Sequence, residues 1–123
     1  MADVNAKRFD EIPHYQGPHA IPGIKFHTAG RELGVTAWGM NVLAIEPGCT
    51  RHPEHDHLKD GQEEVYVVLE GSGVLKTGRD ETPLSIGTLV RVDPAVKRQL
   101  LPGPQGIVVL ALGATPGAAY AAR

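Results

Sequence analysis

Residues 51–73 read RHPEHDHLKDGQEEVYVVLEGSG, and this stretch decides both the fold and the candidate site. His55 and His57 lie two positions apart, and residues at this spacing on an extended strand point to the same face. A turn signal at Asp60-Gly61 separates them from the apolar run Val65–Leu69, which is typical of a buried strand. The turn can bring this run back beside the two histidines.

The residues just before that run supply carboxylates at Glu63 and Glu64. Two imidazoles and one carboxylate on neighbouring strands form the facial-triad ligand set, which suits Fe(II) and is usable by Mn, Ni or Zn. The pattern therefore indicates a site for one divalent metal ion. A polar surface loop that happens to carry histidines is the alternative interpretation.

Short apolar runs separated by turn signals fill most of the remaining chain. Glycine (15) and proline (10) make up about a fifth of the 123 residues, which favours many short elements over a few long helices. Strands joined by frequent turns are typical of an all-β sandwich or barrel. The predicted strands are Ile24–His27, Val35–Ile45, Glu64–Leu69, Gly73–Thr77, Leu84–Ile86, Thr88–Val92, Lys97–Leu101 and Ile107–Leu112.

The length predicts a single domain, because compact domains cluster near ~100–150 residues. We expect an extended N-terminal arm over residues 1–23, where three prolines lie among polar residues. The barrel domain is expected over residues 24–113. Residues 114–123 drift toward alanine and glycine and are expected to form a C-terminal tail.

The charge balance excludes some classes of partner. Twelve basic and fourteen acidic residues give a net charge of −2 without a basic run, which argues against nucleic-acid binding. The single cysteine, Cys49, excludes an intramolecular disulfide and a multi-cysteine zinc site. The N-terminal residues are charged and no apolar run is long enough to span a membrane, so we expect a cytoplasmic protein with no membrane partner.

Gly48, His55, His57, Glu64 and Gly71 resemble the first motif of the cupin superfamily, G-x5-H-x-H-x3,4-E-x6-G. The required spacing to the final glycine selects Glu64 as the ligand. Six residues separate Gly48 from His55, and six separate His57 from Glu64, so both loops are longer than the motif allows. The resemblance implies a double-stranded β-helix (jelly-roll) cupin barrel, with His55, His57 and Glu64 as metal ligands.

The second cupin motif, G-x5-P-x-G-x2-H-x3-N, falls on Gly87, Asp93, Ala95, Arg98 and Pro102. Only its first glycine is present here. Arg98 stands where the family has a fourth metal ligand, a histidine. Arginine remains protonated in proteins and offers no lone pair to a cation. The full four-ligand cupin site is therefore absent.

Several arrangements remain open at this site. The metal ion, which would be Fe, Mn, Ni or Zn, can be held by the three remaining ligands and water. His52 can supply another ligand, although Pro53 and its odd spacing argue against this, and Gln99 can offer a carbonyl oxygen. Alternatively, the site binds no metal and Arg98 pairs with a glutamate.

The resemblance implies two classes of function. One is a metal-dependent enzyme of dioxygenase, isomerase or lyase type, which acts on a small anionic molecule. Arg98 is then expected to bind the anion, and His52 and Glu63 are expected to be accessory groups that move protons. The other class is a non-catalytic module that binds or senses a small molecule. In either case we expect a homodimer formed through edge strands.

Overall fold

A computed structural model describes residues 3–122 as an antiparallel β protein. A 3-10 turn at Phe9–Glu11 and a short helix, α1 (Ala29–Leu33), are the helical elements within these residues. The all-β prediction is confirmed. The strands are β1 (Ile24–His27), β2 (Gly39–Ile45), β3 (Glu63–Thr77), β4 (Asp80–Ser85), β5 (Leu89–Val92) and β6 (Gln99–Ala114).

The two long strands, β3 and β6, form the centre of the sheet. The order is β1-β2-β6-β3-β4, and β5 also pairs with β3. β5 pairs with residues 64–67 of β3, whereas β4 pairs with residues 72–77 of the same strand. β3 thus pairs with two shorter strands at different ends of the barrel, β5 near its beginning and β4 near its end.

β3 unites the two predicted strands Glu64–Leu69 and Gly73–Thr77, so the turn predicted between them is wrong. The register between β3 and β6 shifts at Val68/Glu70 and again at Gly71/Gly73, as in β-bulges. Gly71 has φ +72°, and a Cβ there would collide with the backbone carbonyl of Gly106. Only glycine fits this close approach, which is why the segment looks like a turn in the sequence.

The bulges change which residues face the interior. Before them, the buried side chains of β3 are Tyr66 and Val68, at even positions; after them, the buried side chain is Leu75. Side chains alternate between the two faces of a regular strand, so without the bulges the even-numbered Tyr66 and Val68 and the odd-numbered Leu75 would point to opposite faces. The main core consists of Leu43, Ile45, Cys49, Tyr66, Val68, Leu75, Leu84, Val92, Leu100, Ile107, Val109 and Ala111.

β6 likewise joins two predicted strands, Lys97–Leu101 and Ile107–Leu112. The Pro-Gly-Pro segment at 102–104, which has the composition of a turn in the sequence, lies within β6. Residues 103–106 have no partner in the β3–β6 register, so the missing N–H of Pro104 costs no ladder hydrogen bond there.

The outer face of the central strands is covered by the chain's own N-terminal arm. Ile12 packs with Ala29 of α1 and Val42 of β2 in a second, smaller buried cluster. The Nδ1–H of buried His27 donates a 2.6 Å hydrogen bond to the carbonyl of Ile12, which fixes the arm on the sheet. The strand predicted over Val35–Ile45 begins only at Gly39, as β2, and α1 lies before it in the chain.

None of the helices in residues 3–122 combines the length and apolar character needed to cross a membrane.

Candidate metal centre

The histidine-bearing segment is anchored to the residues that precede β6. The backbone N–H of His55 donates to the Arg98 carbonyl at 3.0 Å, and the Arg98 N–H donates back to His55 at 2.8 Å. The N–H of His57 donates to the Pro94 carbonyl at 2.9 Å. These bonds hold the histidine segment in an extended conformation, although it is not part of a named strand. The side chains of His55 and His57 therefore point to the same face.

Three side chains converge at this face: His55, His57 and Glu64. One ligand atom from each lies within 4.8 Å of the others. Glu64 Oε1 is 3.3 Å from His57 Nε2 and 3.9 Å from His55 Nε2. Glu64 is two positions before buried Tyr66 on β3, so the strand directs its carboxylate inward.

The outer nitrogen of each imidazole is already engaged. His55 Nδ1–H donates to the Pro53 carbonyl at 2.9 Å, and His57 Nδ1–H donates to Asp60 Oδ1 at 3.1 Å. This leaves the Nε2 lone pairs aimed toward Glu64, as in protein metal sites where a second partner orients each histidine. His57 Nε2 is buried and has no hydrogen-bond partner among the described residues. The donor types and this unpaired nitrogen fit a divalent metal ion.

Glu64 has two further neighbours in the interior. The Tyr66 hydroxyl donates to its Oε1 at 2.9 Å, and Arg98 Nη2 lies 3.9 Å from the same oxygen. Burial, followed by the nearby Glu64 charge, raises the pKa of Tyr66. Tyr66 is therefore a neutral hydrogen-bond donor that holds the carboxylate in position.

Arg98 is completely buried, with 0% of its surface exposed. Its Nη2 donates to the Asp93 carbonyl at 3.2 Å, while Nε and Nη1 have no hydrogen-bond partner in the described chain. A buried guanidinium is costly unless a negative charge compensates it, and Glu64 is the carboxylate beside it. Arg98 does not line the cavity described below. Any effect of Arg98 on a ligand thus acts through its charge, not through the direct contact expected from the sequence.

His52 forms part of the wall next to His55, with ring centroids 5.6 Å apart. Its Nδ1 accepts a 2.9 Å hydrogen bond from the Leu100 N–H. Burial, with smaller contributions from the charges of His55 and Arg98, lowers the pKa of His52 to about 4. His52 is therefore neutral at pH 7, and it is not part of the converging ligand group.

The side chain of Gln99 does not point into the site either. Its amide Nε2 donates to the carbonyls of His52, at 2.9 Å, and Thr50, at 3.2 Å. Gln99 thus positions the backbone that leads into the histidine segment.

Glu63 lies on the outside of the barrel, which corrects the accessory role predicted for it. Its carboxylate accepts hydrogen bonds from the Arg91 guanidinium in an exposed ion pair. Neighbouring strand residues face opposite ways, so Glu64 points inward and Glu63 outward. Glu63 consequently neither moves protons in the cavity nor pairs with Arg98.

The converging side chains open into a cavity of about 240 Å³. Sequence reasoning missed most of its other polar groups, although Tyr66 could have been found from its spacing of two from Glu64. Tyr120 belongs to the tail, to which no role was assigned. The lining residues are Phe26, Gly39, Asn41, Leu43, His52, His55, His57, Gln62, Glu64, Tyr66, Ala111, Gly113 and Tyr120.

No family model and no curated protein matches this sequence. Solved structures do match. A cupin-superfamily sugar phosphate isomerase from Silicibacter pomeroyi is 22% identical with a TM-score of 0.74, over 91% of this chain and 77% of that one. A predicted oxalate decarboxylase from Thermotoga maritima is 19% identical with a TM-score of 0.71, over 90% and 99% of the two chains.

A cupin protein from Bacteroides fragilis is also similar, at 20% identity and a TM-score of 0.66, over 89% of this chain and 91% of that one. A double-stranded β-helix protein from Klebsiella pneumoniae matches over 97% and 96% of the two chains, with a TM-score of 0.69 and 17% identity. These likenesses extend over nearly the whole described barrel. The chain has the double-stranded β-helix fold that these solved cupin structures share.

Proposed function

We propose that the protein binds one divalent metal ion through His55 Nε2, His57 Nε2 and a Glu64 carboxylate oxygen, and that it binds a small molecule at the open positions. The observation that carries this proposal is the buried His57 Nε2. This atom has no hydrogen-bond partner in the described chain, although Asp60 holds the ring's other nitrogen. An imidazole nitrogen without a hydrogen-bond partner in the interior is costly, and a metal ion would bind its lone pair.

First-row metals match the two imidazoles and one carboxylate, so the ion is Fe, Mn, Ni or Zn. When bound, the ion supplies Lewis acidity to a coordinated oxygen of the ligand. The chain contributes position and charge: Tyr66 fixes Glu64, Asp60 orients His57, and His52 stays neutral in the wall. Dioxygenase, isomerase and lyase reactions are the enzyme activities compatible with such a centre.

Charge favours an anionic ligand. The divalent ion and Arg98 bring three positive charges, whereas Glu64 and Asp60 bring two negative ones. Both histidines bind as neutral ligands. The site therefore holds a surplus positive charge in a partly enclosed cavity, and an anionic oxygen donor such as a carboxylate neutralises it.

Metal analysis of variants tests the proposal. Protein purified without chelator is expected to hold about one metal ion per chain. His57→Ala is expected to lose it, because two protein ligands hold a first-row metal weakly, whereas His19→Ala, at an exposed histidine outside the group, is the matched control. His52→Asn is expected to retain the metal. Full metal content in His57→Ala would contradict the ligand assignment.

A second candidate is a metal-free small-molecule binding module. The position of Arg98 Nη2, 3.9 Å from Glu64 Oε1, favours it, because this guanidinium already compensates the carboxylate. Wild-type protein that remains metal-free after incubation with Fe(II), Mn(II), Ni(II) and Zn(II) salts would select this candidate over the first.

A further inference from the structure

An apolar cleft of about 590 Å³ opens next to the metal cavity. Four residues belong to the walls of both spaces: Phe26, Leu43, His52 and His55. The cleft therefore adjoins the cavity on the His55 side of the candidate metal centre.

The N-terminal arm forms one wall of this cleft with Tyr15 and Ile21, and β1 forms another with Ile24. Among residues 3–122, no Asp, Glu, Lys or Arg lines it. The cleft thus offers mainly apolar contact, and its walls include the three histidines His19, His52 and His55. A charged group placed there would be desolvated without compensation.

The other side of the metal centre is different. A groove of about 790 Å³ adjoins the cavity at His57, and its walls include Arg31, Asp60 and Gln62. Polar and charged groups can be solvated or paired in this groove. The two approaches to the metal centre therefore differ in charge: the groove has Arg31 and Asp60 in its walls beside apolar residues such as Trp38, whereas no Asp, Glu, Lys or Arg of the described residues lines the cleft.

We propose that the ligand is amphipathic, with an anionic oxygen-donor head at the metal and an uncharged aliphatic or aromatic tail in the cleft between the arm and β1. The proposal rests on the metal-binding function above and adds the ligand class. Surplus positive charge at the centre selects the head, and the uncharged walls of the cleft select the tail. The arm then acts as a specificity element, because it supplies a wall that the barrel alone lacks.

The test uses n-alkyl hydroxamic acids, whose head chelates first-row metals and whose tail length is adjustable. Binding to metal-loaded, full-length protein is measured by isothermal titration calorimetry, from acetohydroxamic to octanohydroxamic acid. Each added methylene is expected to lower Kd by roughly three- to fourfold, as for transfer of a CH₂ out of water, until the cleft is filled.

Variants locate the tail. Ile21→Asn places an amide in the cleft wall and is expected to reduce the ratio of acetohydroxamic to octanohydroxamic Kd about tenfold. Leu89→Asn is the matched control, since Leu89 is 69% exposed on β5 and lines neither space. This variant is expected to leave the ratio unchanged. Circular dichroism and metal analysis accompany each titration, and the wild-type series stands independently of whether Ile21→Asn folds.

The outcomes separate this inference from the function on which it rests. Metal-loaded protein that binds all chain lengths equally would overturn the apolar tail and leave the metal site intact. Protein that takes up no metal and binds no hydroxamic acid would overturn both. A flat series together with a dimer in analytical ultracentrifugation that dissociates in Ile21→Asn would assign the cleft to a second copy of the chain, and would also overturn the inference.

Discussion

The same two strands, β3 and β6, build a cavity at one end of the barrel and a packed core at the other. At the cavity end, Tyr66 lies opposite Ala111, and Glu64 lies opposite Gly113. At the packed end, Leu75 lies opposite Leu100, and both side chains are buried. The size of the residue on β6 therefore decides whether the facing side chain borders open space or a filled interior.

The difference extends to electrostatics. The cavity end contains three histidines, a carboxylate and a buried arginine, whereas the packed end contains aliphatic side chains. The glycine-rich bulges around Gly71 lie between the two ends. Because the two ends are separate, apolar packing at one end can contribute most of the free energy of unfolding. The cavity end can then contain buried polar atoms without hydrogen-bond partners.

The largest effect is expected where the two ends join. Gly71→Ala adds a Cβ that collides with the Gly106 carbonyl, at a φ of +72°. We expect a loss of more than about 4 kcal/mol in the free energy of unfolding, because the collision involves backbone and cannot relax by a rotamer change. Urea denaturation measures this. Gly78→Ala, at φ +63° with no atom within 4 Å of the new Cβ, isolates the conformational cost of about 1–2 kcal/mol. Equal losses in the two variants would contradict the steric explanation.

At the packed end, Leu100→Ala is expected to cost about 3.5 kcal/mol of unfolding free energy. Leu100 is fully buried, so its truncation leaves a cavity in addition to the lost transfer free energy. The exposed Leu89→Ala is the control and should change the unfolding free energy by less than about 0.5 kcal/mol. A cost near 1 kcal/mol for Leu100→Ala would mean that this end is less tightly packed than described.

The cavity end should lose stability in acid. The pKa of His52 is lowered by burial to about 4 in the folded protein, against about 6.5 when unfolded. Between these values the unfolded chain binds more protons, so stability is fully present above pH 6.5 and falls by about 3 kcal/mol as the pH drops to 4. His52→Asn retains an acceptor for the Leu100 N–H but does not titrate, so its stability should depend less on pH. Parallel pH profiles from urea denaturation would contradict the prediction.

The smallest effect is expected from Tyr66→Phe, which removes the hydrogen bond to Glu64. In metal-free protein the loss should be about 1.5 kcal/mol, the usual value for a hydrogen bond to a charged group. The cost should shrink when metal is bound, because Glu64 then has another partner. Thermal unfolding with and without metal measures this, with Tyr15→Phe on the arm as the control. A cost that metal does not change would indicate that the ion does not contact Glu64.

The His-x-His spacing predicted that His55 and His57 point to one face, and the resemblance to the first cupin motif, through the six residues between Glu64 and Gly71, singled out Glu64. The structure brings these three side chains together, with one ligand atom from each within 4.8 Å of the others. Glu63 was harder to place from sequence, since both faces of β3 carry apolar residues and its partner, Arg91, lies on another strand.

The predicted strand boundaries were less accurate than the predicted fold class, because they also depend on contacts between distant segments of the chain. Gly71 and Gly73 signal a turn in the sequence, yet in the structure they permit close contact with β6. Sequence patterns also gave no indication that the arm's Ile12 covers Val42 on the outer face, because that contact depends on the tertiary path of the chain. Long-range backbone packing was therefore the part that local patterns did not predict.

The pairing of β3 has a consequence for the order of folding. Its end at Thr77 pairs with Asp80 across a tight hairpin, whereas its beginning at Glu63 pairs with Ala114, far away in the chain. Closing the short loop of the β3–β4 hairpin costs less conformational entropy than joining segments that are far apart in the chain. The hairpin is therefore expected to form before the distant pairing. We therefore expect the β3–β4 hairpin to form early and the Glu63–Ala114 end to close late, so that a newly made chain acquires the geometry of its candidate metal site in the final steps of folding.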